Sequence, residues 1–154
     1  MGNIKILISC HKQSIVPDSE IMLPIEVGAD LRSKHIEGYI QDNSGDNISV
    51  KNKMYCELTA QYWAWKNLDA DYYGFFHYRR YLNFSENKYP LDSWQNITEE
   101  RLNDTCLKKY NLNDDCIRNL VETYDIVLSE EKNVAKMPDR NASVYEQYKN
   151  GRSL

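Results

Sequence analysis

Residues 71–81 read DYYGFFHYRRY: an aromatic run that closes on His77, Tyr78, Arg79 and Arg80. A second run, ILISCHK, closes on Cys10, His11 and Lys12. A guanidinium presents a planar fork that matches two phosphate oxygens, and imidazole and ammonium groups add further cationic donors. These residue types together point to an anion, specifically a phosphate or diphosphate. Hydrogen bonds to charged groups contribute roughly 1.5–3 kcal/mol each, so two or three could hold a diphosphate without a metal. Plainer uses compete with that reading. Arg79 and Arg80 could point into solvent or pair with Asp or Glu, and His77 could be a satisfied core histidine. His11, read alone, is less specific still.

The other polar constellation is DNSGDNIS, residues 42–49. Its Asp and Asn side chains can bond nearby backbone amides and its glycine can take positive φ, so the segment is strongly turn-forming. It is either a solvated turn or a place where Asp42, Asp46, Asn47 and Ser49 contact sugar or base hydroxyls. It lacks the downstream carboxylate of an EF-hand and the second glycine and Lys-Ser/Thr pair of a P-loop. On the following segment Glu57 precedes an apolar stretch. Trp63 and Trp65 lie two apart and cannot share a helical face, so one is expected in the core and the other at a surface or pocket.

The elements that must position these side chains follow from periodicity. Ile4–Cys10 is a short β-branched run and reads as a buried first strand. Residues 13–50 read as irregular, punctuated by Pro17, Pro24, Gly28 and Gly38, with a short strand over 21–27. Residues 52–67, NKMYCELTAQYWAWKN, contain no Gly or Pro and read as one helix, with Leu58, Tyr62 and Trp65 on a common face. Tyr72–Phe76 reads as a strand. Thr98 is placed to cap a helix running to about Tyr110, and Asn113 one from Asp114 to about Thr123. Residues 125–129 read as a further buried strand, 130–141 as loop, and 143–150 as the start of a helix. Strand, helix, strand, helix, helix, strand indicates α/β with a mainly parallel sheet. Ligands of such sheets bind beyond the carboxyl ends of the strands. If the first and the aromatic strands are neighbours, His11, Lys12, His77 and Arg79 converge on one rim.

Bulk properties set the limits. The chain has 154 residues, with 42% hydrophobic and 27% charged, an ordinary globular composition with room for one core. The net charge of −4 disfavours a general nucleic-acid binder, so any anion site is local. Twelve Tyr against three Phe suits polar, sugar-like ligands as well as ordinary amphipathic packing. Four cysteines without a CxxC pair or zinc spacing suggest reduced thiols. The start, MGNIKILISCHK, is not a signal peptide, no apolar run is long enough to span a membrane, and Ile6 stands where a myristoylation motif needs Ser or Thr. A cytoplasmic protein is expected.

In order, CHK, EVGA, DNSGDNIS, YCELTAQYWAWKN and YGFFHYRRY resemble the shared motifs of bacterial capsular and exopolysaccharide glycosyltransferases long classed as a domain of unknown function. The match is dense from about residue 4 to 82 and looser through YDIVLSE and SVYEQYK. Ser44 stands where Thr is common, and Gln61 where an apolar residue is common. The resemblance implies a GT-A-like (Rossmann-type) α/β fold, with residues 1–154 as its N-terminal nucleotide-sugar-binding part, incomplete at the C-terminus. It implies transfer of a hexosyl group, with galactofuranosyl from a UDP sugar as one candidate, to a glycan or lipid-linked oligosaccharide acceptor, at or near the inner face of the membrane. Many GT-A enzymes carry Asp-Tyr, an apolar strand and then a metal-binding Asp-x-Asp. Here Asp71-Tyr72 opens the strand, but His77-Tyr78-Arg79 stands where the metal-binding carboxylates would be.

The resemblance therefore implies that His77 and Arg79, with Arg80, replace the metal and neutralise the departing diphosphate, with no cofactor required. It places His11 and Lys12 near the nucleotide and Asp46, Asn47, Glu57 and Asp71 around the donor pocket. A general base is not identified; Asp92 and Glu130 are weak candidates. Relatives continue past SVYEQYK, so an exposed apolar face is expected where further helices would pack. The alternative reading is a non-catalytic nucleotide-sugar-binding remnant or an interaction protein.

Overall fold

The computed structural model describes residues 2–133, Pro138 and Tyr145. They pack as two compact units, one of residues 2–85 with 102–127, the other of residues 86–101 with the described residues from 128 onward.

The first unit is a parallel sheet covered on both faces. Strand β1 (Ile4–Cys10) lies between β2 (Met22–Glu26) and β4 (Tyr72–His77), and the two-residue β3 (Ile40–Gln41) extends the β2 edge, giving the order β3-β2-β1-β4. Every pairing is parallel. This is why β1 is apolar at almost every position: a central parallel strand is buried on both faces. Side chains alternate between faces. Ile4, Ile6, Ile8 and Cys10 join Met22, Phe76, Tyr78, Phe84, Leu112 and Ile117 in one core, and Leu7, Ile25 and Val27 join Ala60, Trp63 and Ala64 in the other. Gly74 sits opposite Ile6, where a Cβ would come 2.7 Å from Ile6 Cγ1, so the aromatic strand needs glycine there.

The helical segment after the turn-forming loop departs from the single helix expected over 52–67. It is two pieces, α1 (Asn52–Tyr55) and α2 (Leu58–Asn67), separated by Cys56 at φ 48°, ψ −128°. The buried face of α2 is also not the expected one. Thr59, Ala60, Trp63 and Ala64 face the sheet, whereas Leu58 and Trp65 are 51% and 69% exposed. Two alanines one turn apart let the helix approach the sheet closely, and Trp63 fills the remaining space and donates its indole N–H to the Ser44 carbonyl at 3.0 Å.

On the opposite face lie α3 (Asp104–Lys109) and α4 (Asp114–Val121). Asn113 caps α4 as expected, accepting from the Cys116 amide at 3.0 Å. Thr98 does not cap α3; Asn103 does, by the same interaction with Cys106, and Thr98 instead donates to Asp92 within the second unit. Residues 125–129 form no strand, and Ile126 and Leu128 are 74% and 80% exposed. Their sequence suits a strand, but a strand exists only where its backbone finds a ladder partner, and these residues have none among the described residues. The helix expected over 143–150 falls outside the described residues except for Tyr145, which is helical. Among the described residues no helix is long and apolar enough to cross a membrane.

Candidate functional site

The site is built where β1 and β4 end side by side. Ser9 pairs with His77 in register, so the residues that follow each strand emerge together. The chain after β4 reverses at once. The His77 amide donates to the Arg80 carbonyl at 3.2 Å, and the Arg80 amide donates back to His77 at 2.8 Å, leaving Tyr78 and Arg79 as the turn. The Tyr78 amide donates to the Ser9 carbonyl at 3.2 Å, which fastens that turn onto β1.

Tyr78 is buried and is the hub of the cluster. The His11 ring meets it edge-on with centroids 5.1 Å apart, and its hydroxyl lies 3.4 Å from His11 Nε2. Lys12 Nζ is 5.8 Å, and Arg79 Cζ 5.1 Å, from its ring centroid. The His77 ring is 4.4 Å away and the His11 and His77 rings are 6.3 Å apart. Cations over a tyrosine face are attracted by its quadrupole, but the ring adds no counter-charge. Lys12, Arg79 and Arg80 form no ion pair with a carboxylate among the described residues. The cluster is therefore a concentration of donors and positive charge in which Lys12, Arg79 and Arg80 have no carboxylate partner among the described residues.

One carboxylate approaches it. Glu57, at the start of α2, brings Oε1 to 3.7 Å from His77 Nε2. On the other ring nitrogen, Nδ1 accepts from the Arg79 amide at 3.3 Å, so the neutral ring carries its proton on Nε2, facing Glu57. Burial holds the His77 pKa below its ordinary value; Glu57 opposes this, while Arg80, Arg79 and His11 reinforce it.

The expected convergence of His11, Lys12, His77 and Arg79 is thus found, with Glu57 beside them. Asp46 and Asn47 lie elsewhere on the unit, in the loop packed against the far end of α2. Asp46 accepts from the Tyr62 hydroxyl at 3.0 Å, and Asn47 Nδ2 donates to the carbonyls of Asn43 and Gly45. Asp42 and Ser49 are fully buried. Asp42 accepts from the amides of Gly28 and Ala29 and from Ser49, so it braces the loop after β2 and has no surface to offer a sugar. Asp71 is at the opposite end of β4 from His77, about 20 Å along the strand, where it accepts from the Asn3 amide at 2.7 Å. Asp92 and Glu130 belong to the second unit. Amides of Asn96 and Trp94 and the Thr98 hydroxyl bond the Asp92 carboxylate and hold its pKa below the ordinary range, which suits a loop brace better than a base. Burial pushes the Cys10 thiol up to about 11, so it is no nucleophile at neutral pH.

The residues missed from sequence are Glu26, Arg32 and His35. Glu26 ends β2 with no accessible surface. Arg32 Nε is 3.4 Å from its Oε1; His35 Nδ1 is 3.2 Å, and the Ile36 amide 3.1 Å, from its Oε2. Arg32 also donates to the His11 carbonyl at 2.6 Å, so this buried carboxylate anchors the segment that carries His11 and Lys12. The signal was the lone carboxylate in Ile25-Glu26-Val27: a charge at the end of a buried strand demands cations nearby. Among the described residues no three His, Cys, Asp or Glu side chains gather as a metal-ion donor set.

Comparison with known proteins bears on the fold and the family. Residues 5–154 match the family model described as Domain of unknown function (DUF4422). No match was found among curated proteins. Among solved structures, the apo structure of the WbbM bifunctional glycosyltransferase is 43% identical and superposes with a TM-score of 0.74 over 78% of this chain. The match covers 21% of that much longer chain. The likeness accords with the α/β, GT-A-like architecture of a mostly parallel sheet flanked by helices.

Proposed function

This chain belongs to the DUF4422 family, and we propose that it forms the nucleotide-sugar-binding part of a glycosyltransferase. The observation that carries the reading is the cation cluster around Tyr78, set at the carboxyl edge of a parallel sheet, whose Lys12, Arg79 and Arg80 have no carboxylate partner among the described residues. The 43% identity to the WbbM bifunctional glycosyltransferase supports the choice of ligand class. In this reading a nucleoside diphosphate lies against Arg79, His77 and Lys12, with His11 at its flank. Arg79 offers two parallel N–H donors to phosphate oxygens. As the glycosidic bond to the donor phosphate breaks, negative charge grows on the departing diphosphate, and preorganised cations lower that barrier. Arrival of the anion also draws a second proton onto His77, whose Nδ1 then releases the Arg79 amide.

The finer assignments are a hexosyl donor carried on UDP, galactofuranosyl among the candidates, and a growing surface polysaccharide or lipid-linked oligosaccharide as acceptor. Asp46 and Asn47 are not near the cations, so of the pocket residues Glu57 is the one best placed to meet the donor. Diphosphate binding without a divalent metal is part of the proposal and rests on cations standing where carboxylate ligands would be needed. Isothermal titration of the chain with UDP tests both points. Binding that is equal in excess EDTA and in Mn²⁺ is expected. Binding that appears only with Mn²⁺ overturns the metal-free clamp, and no binding in either condition overturns the donor-site reading.

A further inference from the structure

The sequence NKMYCELTAQ favours an uninterrupted helix, yet the backbone breaks at Cys56, at φ 48°, ψ −128°. That conformation suits glycine; a residue with a Cβ held there costs about 1–3 kcal/mol and persists only when its surroundings over-determine it. Here they do. The Cys56 carbonyl accepts three hydrogen bonds: from Asn52 Nδ2 at 2.8 Å, from Thr59 Oγ1 at 3.1 Å and from the Thr59 amide at 3.2 Å. Asn52 Nδ2 reaches Thr59 Oγ1 as well, at 3.0 Å, and the Cys56 amide donates back to Asn52 at 2.8 Å. Thr59 has no accessible surface. The clamp sits where α2 begins to dock on the sheet, and the Cys56 side chain itself is exposed and free.

What the turn does is redirect the next residue. Glu57 starts α2 and its Oε1 reaches 3.7 Å from His77 Nε2. We infer that the turn at Cys56 is a positioning device that fixes Glu57 against His77, making Glu57 the positioning residue for the imidazole in the cation cluster. The functional meaning, control of the group that meets the diphosphate, rests on the reading above; the positioning itself does not. The Arg79 amide on Nδ1 selects the Nε2–H tautomer, and Glu57 faces that Nε2 from 3.7 Å. The charged groups facing His77 are Glu57 from α2, Arg79 and Arg80 from its own turn, and His11 from the β1 end. Glu57 is the one carboxylate among them, so it alone sustains the proton affinity that burial and the three cationic or ionisable neighbours depress.

Nitrogen-15 NMR of the ligand-free chain tests this. In the parent, His77 is expected as the Nε2–H tautomer. In Glu57→Gln its titration midpoint falls by about 0.7 pH units, the Coulomb value for a pair near 4 Å facing water. Asn52→Ala loosens the clamp and is expected to lower the midpoint part of the way. Cys56→Gly, which suits the same backbone conformation, is expected to keep the parental midpoint. A midpoint unmoved in Glu57→Gln overturns the inference; so does one that Asn52→Ala leaves unmoved or that Cys56→Gly lowers. UDP titration of the same variants separates the two readings. Failure to bind UDP counts against the donor site, whereas the NMR midpoints judge the turn with no ligand present.

Discussion

Two neighbouring strand ends carry nearly the same residue types and use them in opposite ways. At the end of β2, Arg32 and His35 close on Glu26, a carboxylate with no accessible surface. At the ends of β1 and β4, Arg79, Lys12, His11 and His77 gather around the face and edge of Tyr78, and the nearest carboxylate, Glu57, stands 47% exposed at the margin. The first cluster has its charge balance built in and is a fastening. The second is held together by a neutral ring and keeps its excess positive charge. An Arg–His pair therefore becomes a candidate binding site where the described residues supply no buried counter-ion, and the fastening at Glu26 reaches the His11 segment through Arg32.

Breaking each cluster should have different consequences, and the largest should come from the fastening. Arg32→Ala leaves Glu26 buried with only His35 for charge balance and removes the donor to the His11 carbonyl. Removing one partner of a buried ion pair costs about 3–5 kcal/mol; with the Arg32 side chain 34% exposed, about 3 kcal/mol is expected. Urea denaturation at constant m-value measures it. The double variant Glu26→Gln/Arg32→Ala should recover part of the loss, since the amide oxygen still accepts from Ile36 and no charge is stranded. A double variant as unstable as the single would mean that Arg32 acts by packing. Arg79→Ala should do the reverse. Stability should stay within about 0.5 kcal/mol, as for exposed residues generally, while UDP affinity falls roughly 10–100-fold, the worth of one charge-assisted contact. Arg79→Lys should fall between, because it restores the charge without the fork.

The contrast was half legible in the sequence. Strands β1 and β4 stand out because a buried parallel strand is a continuous apolar run, and the rule that ligands lie beyond carboxyl ends puts His11, Lys12, His77 and Arg79 on one rim provided that the two strands are neighbours, which they are. Glu26 was less visible because its partners come from a stretch without periodicity, where only the fold decides what lies near. The face of α2 was misjudged for a related reason. Leu58, Tyr62 and Trp65 look like a core stripe by hydrophobicity, but close approach to the sheet selects Ala60 and Ala64, and size outweighed apolarity. The break at Cys56 has no local signal, since it depends on the Asn52 and Thr59 side chains meeting one carbonyl. Residues 125–129 carry strand-like residues, yet β-structure is a property of pairs. Asp46 and Asn47 illustrate the limit of motif reading: their order along the chain groups them with the site, and their hydrogen bonds tie them to the far end of α2.

The smallest expected effect concerns proton balance at His77 and separates folding from ligand binding by sign. Burial holds His77 below the ordinary histidine value of about 6.5, so between that value and its own lowered one the unfolded chain binds more protons than the folded chain. Stability contributed by the neutral ring is therefore present above about pH 6.5 and is lost as pH falls through the His77 midpoint. Ligand binding runs the other way. A diphosphate beside the ring favours the imidazolium, so binding takes up a proton, and affinity for UDP should rise as pH falls from 7.5 toward 6. UDP itself begins to gain a proton near the lower limit, where phosphate groups have their second pKa of about 6, which works against the rise. Comparing the parent with His77→Asn cancels that contribution, because the ligand is common to both. The expected outcome is an affinity ratio of parent to variant that grows as pH falls over this range, read by calorimetry in two buffers of different ionisation enthalpy. A ratio that stays flat, with no proton uptake, would mean that His77 meets the anion as a neutral donor and leaves the charge to Arg79 and Lys12.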